Sequence, residues 1–194
     1  MAKRDISKPT YYLDACIFID LIECPATQEP AKTIAAVIAD AEDEKCNLVT
    51  SVLTITEVVY AKHEINQKAI DPAIEVKLDH LWHPSGSPIQ LVDVHELIVR
   101  EANRLLRDNL KRGWTKTRGN DAIHLVTAKR EFVDEFFTNE KAMEKWGEVL
   151  GFKVCAPHSV PLPQEESGSL FAKEGQPKPI SLPQTSRPEP PPSD

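Results

Sequence analysis

The chain lacks the long apolar runs of a membrane protein. None of its hydrophobic segments approaches the roughly 18 uninterrupted apolar residues that span a bilayer. The opening "MAKRDISKPTYYLD" contains basic residues but no apolar stretch behind them, as a secretion signal would have. These two absences predict a soluble protein that is not exported and that stays in the cytoplasm.

Cysteine is also scarce. The 4 cysteines are scattered along the chain and form no CxxC pair. This excludes a small disulfide scaffold and favours reduced, mostly buried thiols. A zinc site built from these cysteines and the pair His80 and His83 is an alternative that the spacing does not favour.

Positive charge is in deficit, since 23 Lys and Arg residues face 30 Asp and Glu residues and the formal net charge is -7. This excludes a general electrostatic attraction to nucleic acid but not a local one. Several basic residues surround Trp114, namely Arg107, Lys111, Arg112, Lys116 and Arg118. Cations around an aromatic ring suit phosphates and a stacked base. The alternative is an exposed helix end with Trp114 packed into the core.

Proline is unevenly distributed, because residues 161–194 hold nine of the 16 prolines and show no apolar periodicity. Such a segment cannot bury enough surface to offset its ordering entropy. We therefore expect a folded domain over residues 1–160 and a proline-rich disordered tail over residues 161–194. The tail is expected to act as a flexible linker or as a docking segment for a partner.

Deletion of residues 161–194 is expected to leave the fold of the domain intact, because the core lies upstream of them. The melting temperature of the shortened chain, followed by circular dichroism, should match that of the full chain. A shortened chain that fails to fold would show that the boundary lies elsewhere.

Short apolar runs alternate with segments of helical periodicity along residues 1–160. Strands are expected at 11–14, 46–51 and 89–94, near 136, and at 151–155. Helices are expected over 16–22, over 31–43, from Val52 with Ser51 as N-cap and continuing through 68 and 81, over 96–110, and from Asp121. This alternation predicts a mostly parallel sheet of about five strands with helices on both faces, an α/β/α arrangement of three layers.

Three acidic residues stand in unusual surroundings. Asp14 ends a buried strand, Glu57 is flanked by β-branched residues, and Asp121 lies in the first turn of an apolar helix. A carboxylate beside buried surface needs a hydrogen-bond donor, a basic partner or a metal ion. Taken singly, Asp14 and Asp121 suit helix N-caps, and Glu57 suits a solvent-facing position. Reactive groups of parallel sheets collect beyond the carboxyl ends of the strands, where Asp14 is expected.

Four sequence blocks in a fixed order resemble the PIN-domain nucleases, in particular the VapC-type toxins of bacterial toxin-antitoxin pairs. The blocks are "YLDACIFIDLIE", a Ser-x-x-Thr-x-x-Glu pattern at Ser51, Thr54 and Glu57, "GNDAIHLVTA", and a strand ending in "FFTNEK". The resemblance covers roughly residues 10–156. Two positions depart from the family: Cys16 stands where Asn or Ser is common, and Glu140 or its neighbour Asn139 must replace the fourth aspartate.

The resemblance implies a PIN-like fold and an endoribonuclease that uses Mg²⁺ or Mn²⁺. Clustered carboxylates repel one another, and a hard divalent ion relieves that repulsion. The implied catalytic residues are Asp14, Glu57, Asp121 and Glu140. Asp14 and Asp121 are the implied principal metal ligands, Glu57 a ligand through water or a water-orienting base, and Glu140 an outer ligand. The implied contacts to RNA phosphates are Arg112, Lys116 and Arg118. A cognate antitoxin and a homodimer are implied in the same way, as are product ends with a 5'-phosphate and a 3'-hydroxyl.

Three alternatives bear on this hypothesis. His124, three residues after Asp121, invites a role as general base, but we expect it to pack or bond within the fold because the metal supplies the activated water. A phosphotransferase of the haloacid dehalogenase type would need a second aspartate where Cys16 stands. A catalytically decayed PIN-like domain that binds RNA or protein is the non-enzymatic alternative.

Overall fold

The computed structural model describes residues 5–83, 86–114 and 116–160. The predicted tail coincides with a second unit, Pro161–Asp194, which lies outside the described residues. Thr115, in the basic segment around Trp114, also lies outside the described residues, whereas all the basic residues of that segment are described.

Within the described residues, five strands form one sheet, as the alternating pattern predicts. They are β1 (Thr10–Leu13), β2 (Asn47–Ser51), β3 (Ile89–Val92), β4 (Glu135–Phe137) and β5 (Lys153–Cys155). The strand order is β3-β2-β1-β4-β5, and every neighbouring pair runs parallel. Parallel strands bury both faces, which explains why all four residues of β1 are buried. The central strand therefore delivers Asp14 to the middle of the sheet's carboxyl edge.

Helices cover both faces of this sheet. They are α1 (Ala15–Glu23), α2 (Ala31–Glu42), α3 (Thr54–Glu57), α4 (Lys62–Gln67), α5 (Pro72–Trp82), α6 (Glu96–Arg112), α7 (Gly119–Arg130) and α8 (Trp146–Leu150), with a short 3-10 helix at Lys141–Met143. Alternate residues of β1 serve the two sides: Tyr11 and Leu13 pack with α1 and α2, whereas Tyr12 packs with α7 and α8. The three-layer α/β/α prediction is confirmed.

The continuous helix predicted from Val52 through residue 68 is wrong. Ser51 is the last residue of β2, and its Oγ accepts a hydrogen bond from the Leu53 amide at 3.1 Å. Helix α3 then lasts only four residues, and the chain reaches α4 through an extended link that ends at Ala61. A second break follows α4, where Lys68 adopts a left-handed φ of 52°. Asp71 then caps α5 by accepting from the Ala73 amide at 2.9 Å.

The remaining predicted elements agree within a few residues with those observed, and none of the helices in the described ranges is both long and apolar enough for a membrane span. All four cysteines carry free thiols, as expected, but the expectation that most are buried is wrong: Cys46 is buried, whereas Cys16, Cys24 and Cys155 are only partly buried.

Candidate active site

Asp14 begins the site as the N-cap of α1. Its Oδ1 accepts from the Ala15 amide at 2.9 Å, and its Oδ2 accepts from the Thr138 hydroxyl at 2.8 Å. Thr138 directly follows β4, the neighbour of β1. The carboxylate is thus fixed between two adjacent strand ends, and the capping interpretation of Asp14 holds alongside any role at a metal.

Cys16, which departs from the family pattern, still makes polar contacts in the site. Its Sγ lies 3.4 Å from Asp14 Oδ2 and 3.4 Å from Thr138 Oγ1, and it accepts from the Asn139 amide at 3.4 Å. Burial, reinforced by the Asp14 charge, raises the pKa of the Cys16 thiol to about 12. The thiol therefore stays neutral and can donate to Asp14, as a hydroxyl or amide would.

Glu57 ends α3 and reaches across to α7. Its Oε1 accepts from Asn120 Nδ2 at 2.8 Å, and its Oε2 lies 2.6 Å from His124 Nε2. The burial of this side chain would raise its pKa, but the hydrogen bonds from His124 and Asn120 and the His124 charge together hold the pKa below the ordinary value. Glu57 is therefore oriented within the fold and does not simply face solvent.

The start of α3 is tied to the end of β1 by two buried threonines. Thr50 donates from its hydroxyl to the Leu13 carbonyl at 2.7 Å, so the Thr54 hydroxyl, 2.7 Å away, donates to Thr50. Both side chains are fully buried. This pairing explains why the Ser-x-x-Thr-x-x-Glu pattern needs a hydroxyl at Thr54: through Thr50 it anchors the short helix, which carries Glu57, to Leu13, the last residue of β1.

His124 is buried and bonds within the fold, as expected. Its Nδ1 lies 2.7 Å from the Tyr12 hydroxyl, which accepts from the Ser51 amide at 3.0 Å. Because the Glu57 carboxylate accepts, Nε2 of His124 carries the proton that faces it, while Nδ1 bonds with the Tyr12 hydroxyl. A chain of hydrogen bonds thus runs from Ser51 through Tyr12 and His124 to the Glu57 carboxylate.

The lowered pKa of Glu57 predicts how the contribution of this residue to stability responds to acid. A carboxylate whose folded pKa is depressed stabilises the fold above its unfolded pKa and loses that contribution as the pH falls through the folded pKa. The difference in unfolding free energy between the wild type and Glu57→Gln should therefore shrink from pH 7 to pH 3. Urea unfolding at both pH values measures it, and a difference that stays constant would contradict the depressed pKa.

Asp121 lies in the first turn of α7, two residues after the helix begins at Gly119. Its Oδ2 accepts from the Arg118 amide at 2.7 Å. Helix capping and a position at the sheet's carboxyl edge are again combined in one carboxylate.

The structure distinguishes between the two residues considered for the fourth acid. Asn139 turns away and donates to Asp20 Oδ2. Glu140 lies where burial, and next the negative charges of Asp121 and Asp14, raise its pKa, while Arg118 opposes the shift. Glu140 is therefore the residue that faces the other acids.

Asp121 and Asp14 lie close enough to Glu140 for their charges to raise its pKa, and Glu57 is bonded to α7 through Asn120 and His124. The oxygens of the four acids are not gathered into a tight triad. Among the residues that the structure describes, three ligand atoms lie within 4.8 Å of one another only at Glu135, Cys155 and His158. Carboxylates repel one another, so wider spacing is the expected arrangement for acids that bond to nearby donors instead.

The basic segment agrees in part with both interpretations of its sequence: Trp114 packs against the core, and cations flank its ring. Trp114 is half-buried and packs edge-on against Trp146, with ring centroids 5.1 Å apart. Its ring is also flanked by two cations, Arg112 at 5.4 Å and Lys145 at 4.7 Å from the centroid. Lys116 and Arg118 are exposed. Lys145 was not foreseen, because it follows Trp114 by 31 positions.

Four further site residues escaped prediction: Tyr12, Ser51 as a backbone donor, Asn120 and Thr138. Thr138 and Asn120 each adjoin a motif, in "FFTNEK" and "GNDAIHLVTA", and that proximity was the available signal. Tyr12 gave none, because an aromatic residue in a buried strand usually serves only packing.

Comparison with known proteins agrees with this geometry. Residues 11–148 match the family model of the PIN domain. No curated relative matches the sequence.

Solved structures resemble the chain at low sequence identity. VapC20 of Mycobacterium tuberculosis, a toxin that cleaves the sarcin-ricin loop, aligns with a TM-score of 0.51 at 13% identity, over 71% of this chain and 95% of that one. A toxin-antitoxin complex from Klebsiella pneumoniae gives 0.47 at 17% identity, over 77% and 99% of the two chains. FitAcB from Neisseria gonorrhoeae gives 0.49 at 15% identity, over 76% and 97%.

Proposed function

The chain belongs to the PIN-domain family, and on this premise we propose that it is a divalent-metal-dependent endoribonuclease. We further propose that it acts in the cytoplasm as the toxin of a type II toxin-antitoxin pair. The observation that carries the nuclease proposal is the proximity of Asp14, Asp121 and Glu140, where burial, and next the charges of Asp121 and Asp14, raise the pKa of Glu140.

The donor set suits a hard divalent ion. Asp14, Asp121, Glu57 and Glu140 offer oxygen atoms only, the chemistry that Mg²⁺ and Mn²⁺ take in proteins. Asp14 and Asp121 would hold the ion, with Glu140 as an outer ligand. When bound, such an ion lowers the pKa of its water and offsets charge that develops on the scissile phosphate.

The chain's own residues orient this site. Thr138 and Cys16 fix the Asp14 carboxylate, and the Arg118 amide fixes Asp121. Glu57, held by His124 and Asn120, would accept a proton from the attacking water or orient it. A carboxylate held by two donors keeps its direction without further reorganisation, which favours general-base or positioning work.

Arg112, Lys116 and Arg118 are proposed to contact RNA phosphates. All three are exposed, and Arg118 adjoins the acids closely enough to lower the pKa of Glu140. Trp114, between two cations, offers an aromatic surface for a base. A local cationic surface would allow an acidic chain to bind RNA beside its carboxylates.

The toxin role rests on the ordered VapC-like motifs, and with it come a cognate antitoxin and a homodimer as proposed partners. VapC20, which shares the fold, is a toxin that cleaves the sarcin-ricin loop. The second candidate function is a PIN-like domain that only binds RNA or protein. The spacing of the four carboxylates, which form no compact ligand triad among the described residues, favours that alternative.

A metal titration separates these two functions. With Mn²⁺ about 100-fold above its dissociation constant, mass action should raise the unfolding free energy by about 2.7 kcal/mol. The melting temperature of the wild type should rise accordingly, and Asp14→Asn should remove most of the rise.

Asp43→Asn is the matched control, because Asp43 is an exposed acid after α2, at the amino end of the sheet. It should respond like the wild type. Absence of any shift at millimolar Mn²⁺ and Mg²⁺ would count against the nuclease and favour the binding module.

A further inference from the structure

A second group of potential metal ligands lies away from the acidic site, on the sheet face covered by α1 and α2. Glu135 begins β4, Cys155 ends β5, and His158 follows three residues later. Glu135 Oε2 lies 2.5 Å from His158 Nε2 and 3.4 Å from Cys155 Sγ. The group shares no residue with the proposed nuclease site.

The partners of the two His158 ring nitrogens show that a cation is needed between His158 and Glu135. Its Nδ1 lies 3.0 Å from the Ser159 carbonyl oxygen, which can only accept, so the Nδ1 proton is used there. In a neutral ring Nε2 then carries a lone pair and acts as an acceptor, yet it faces Oε2 of the Glu135 carboxylate, which also accepts. Two acceptors at this distance need a cation between them, either a proton or a metal ion.

The surroundings hold the ligands as metal sites usually do. Lys153 Nζ bonds to the other carboxylate oxygen, Oε1, at 3.0 Å and leaves Oε2 to the cluster. The His158 ring packs edge-on against Phe137 and Tyr11, with centroids 5.2 Å and 6.1 Å apart. A second hydrogen bond to Glu135 and to His158, together with a packed imidazole, matches the outer contacts that orient metal ligands.

We propose that Glu135, Cys155 and His158 bind a Zn²⁺ ion. One thiolate, one imidazole and one carboxylate form a mixed set that suits this borderline-soft ion and not Mg²⁺ or Ca²⁺, which take oxygen ligands. The ligand pair Cys155 and His158 has a C-x-x-H spacing, so both can reach one ion. Three protein ligands leave a fourth position for water.

Zinc binding would replace one cation by another. The S–H bond of Cys155 breaks, its proton leaves to solvent, and a zinc–sulfur bond forms. Burial and the Glu135 charge raise the pKa of the Cys155 thiol to about 11, so without metal it keeps that proton. Any proton between His158 and Glu135 is released as well. The ion would join the segment 156–160 to the sheet edge at β4 and β5.

Cobalt titration of the full chain tests the site, because a Co²⁺–thiolate bond gives a charge-transfer band in the near ultraviolet. The wild type should show this band and lose it on addition of Zn²⁺, with one ion bound per chain by metal analysis after dialysis. Cys155→Ser should abolish the band. His158→Ala, which changes a partly exposed side chain outside the strands, should weaken Co²⁺ binding by about tenfold or more.

Two cysteine variants serve as controls. Cys24→Ala should keep the band, since Cys24 lies at the end of α1. Cys16→Ala should keep it too, although Cys16 lies against Asp14 in the acidic site. A band lost in Cys16→Ala but retained in Cys155→Ser would place the ion at the acidic site and overturn the proposal. So would a wild type without a band, or Co²⁺ binding unchanged in His158→Ala.

Discussion

Asp121→Asn should reduce metal-dependent RNA cleavage by at least about 100-fold, because losing a direct ligand costs more than the 10- to 100-fold typical of an outer contact. Asparagine keeps the size of the side chain and can still accept from the Arg118 amide. The helix should therefore form normally, and the loss would reflect the missing charge. The contribution of Asp121 to cleavage can therefore be measured without a change in stability.

The assay compares purified wild type and Asp121→Asn on a panel of single-stranded and structured RNAs, with Mg²⁺, with Mn²⁺ and with EDTA. Asp43→Asn again provides an acid-to-amide control outside the site and should cleave like the wild type. Equal cleavage by wild type and Asp121→Asn would mean that the activity is a contaminant or that Asp121 has no role in it.

Tyr12→Phe should lower the unfolding free energy by about 2 to 6 kcal/mol, since it leaves two buried groups without a partner and each costs about 1 to 3 kcal/mol. Two groups lose their hydrogen-bond partner: the Ser51 amide, which donates to the Tyr12 hydroxyl at 3.0 Å, and His124 Nδ1. Urea denaturation monitored by circular dichroism measures the loss.

Tyr11→Phe is the matched control for this substitution. Tyr11 is the neighbouring residue of β1, nearly as buried, but it points to the opposite face and stacks on Phe137 with ring centroids 4.8 Å apart. Its replacement should cost clearly less than that of Tyr12. Similar losses for both tyrosines would show that the hydrogen-bond chain from Ser51 to Glu57 contributes little to stability.

The sequence predicted the sheet well because parallel strands buried on both faces read as short apolar runs between helical segments. The prediction of a continuous helix failed between Val52 and Lys68, because the periodic apolar residues there reflect burial and not helical backbone. Val58, Ala61 and Glu64 are all buried at a spacing of three residues, yet only Glu64 lies in a helix. Glu64 caps that helix from within by accepting from the Ala61 amide at 2.8 Å.

The candidate site also contains residues that the sequence predicts and partners that it does not. Asp14 and Asp121 could be placed from sequence because each stands at a strand end or helix start, positions that the local pattern shows. The partners that orient them could not. Thr138 meets Asp14 across 124 positions and Tyr12 meets His124 across 112, so these contacts depend on strand order, which no local pattern contains. Glu140, rather than Asn139, likewise follows only from the direction in which each side chain turns.

The most direct test of the proposed function is the chemistry of the RNA ends that the full chain produces with Mn²⁺. The resemblance to PIN-domain nucleases implies that attack by an activated water would leave a 5'-phosphate and a 3'-hydroxyl. Labelling of the products by a ligase and by a phosphatase-dependent kinase reaction distinguishes these ends. We expect 5'-phosphate products that disappear with EDTA. Products ending in a 2',3'-cyclic phosphate, formed equally well in EDTA, would contradict a metal-dependent hydrolytic nuclease.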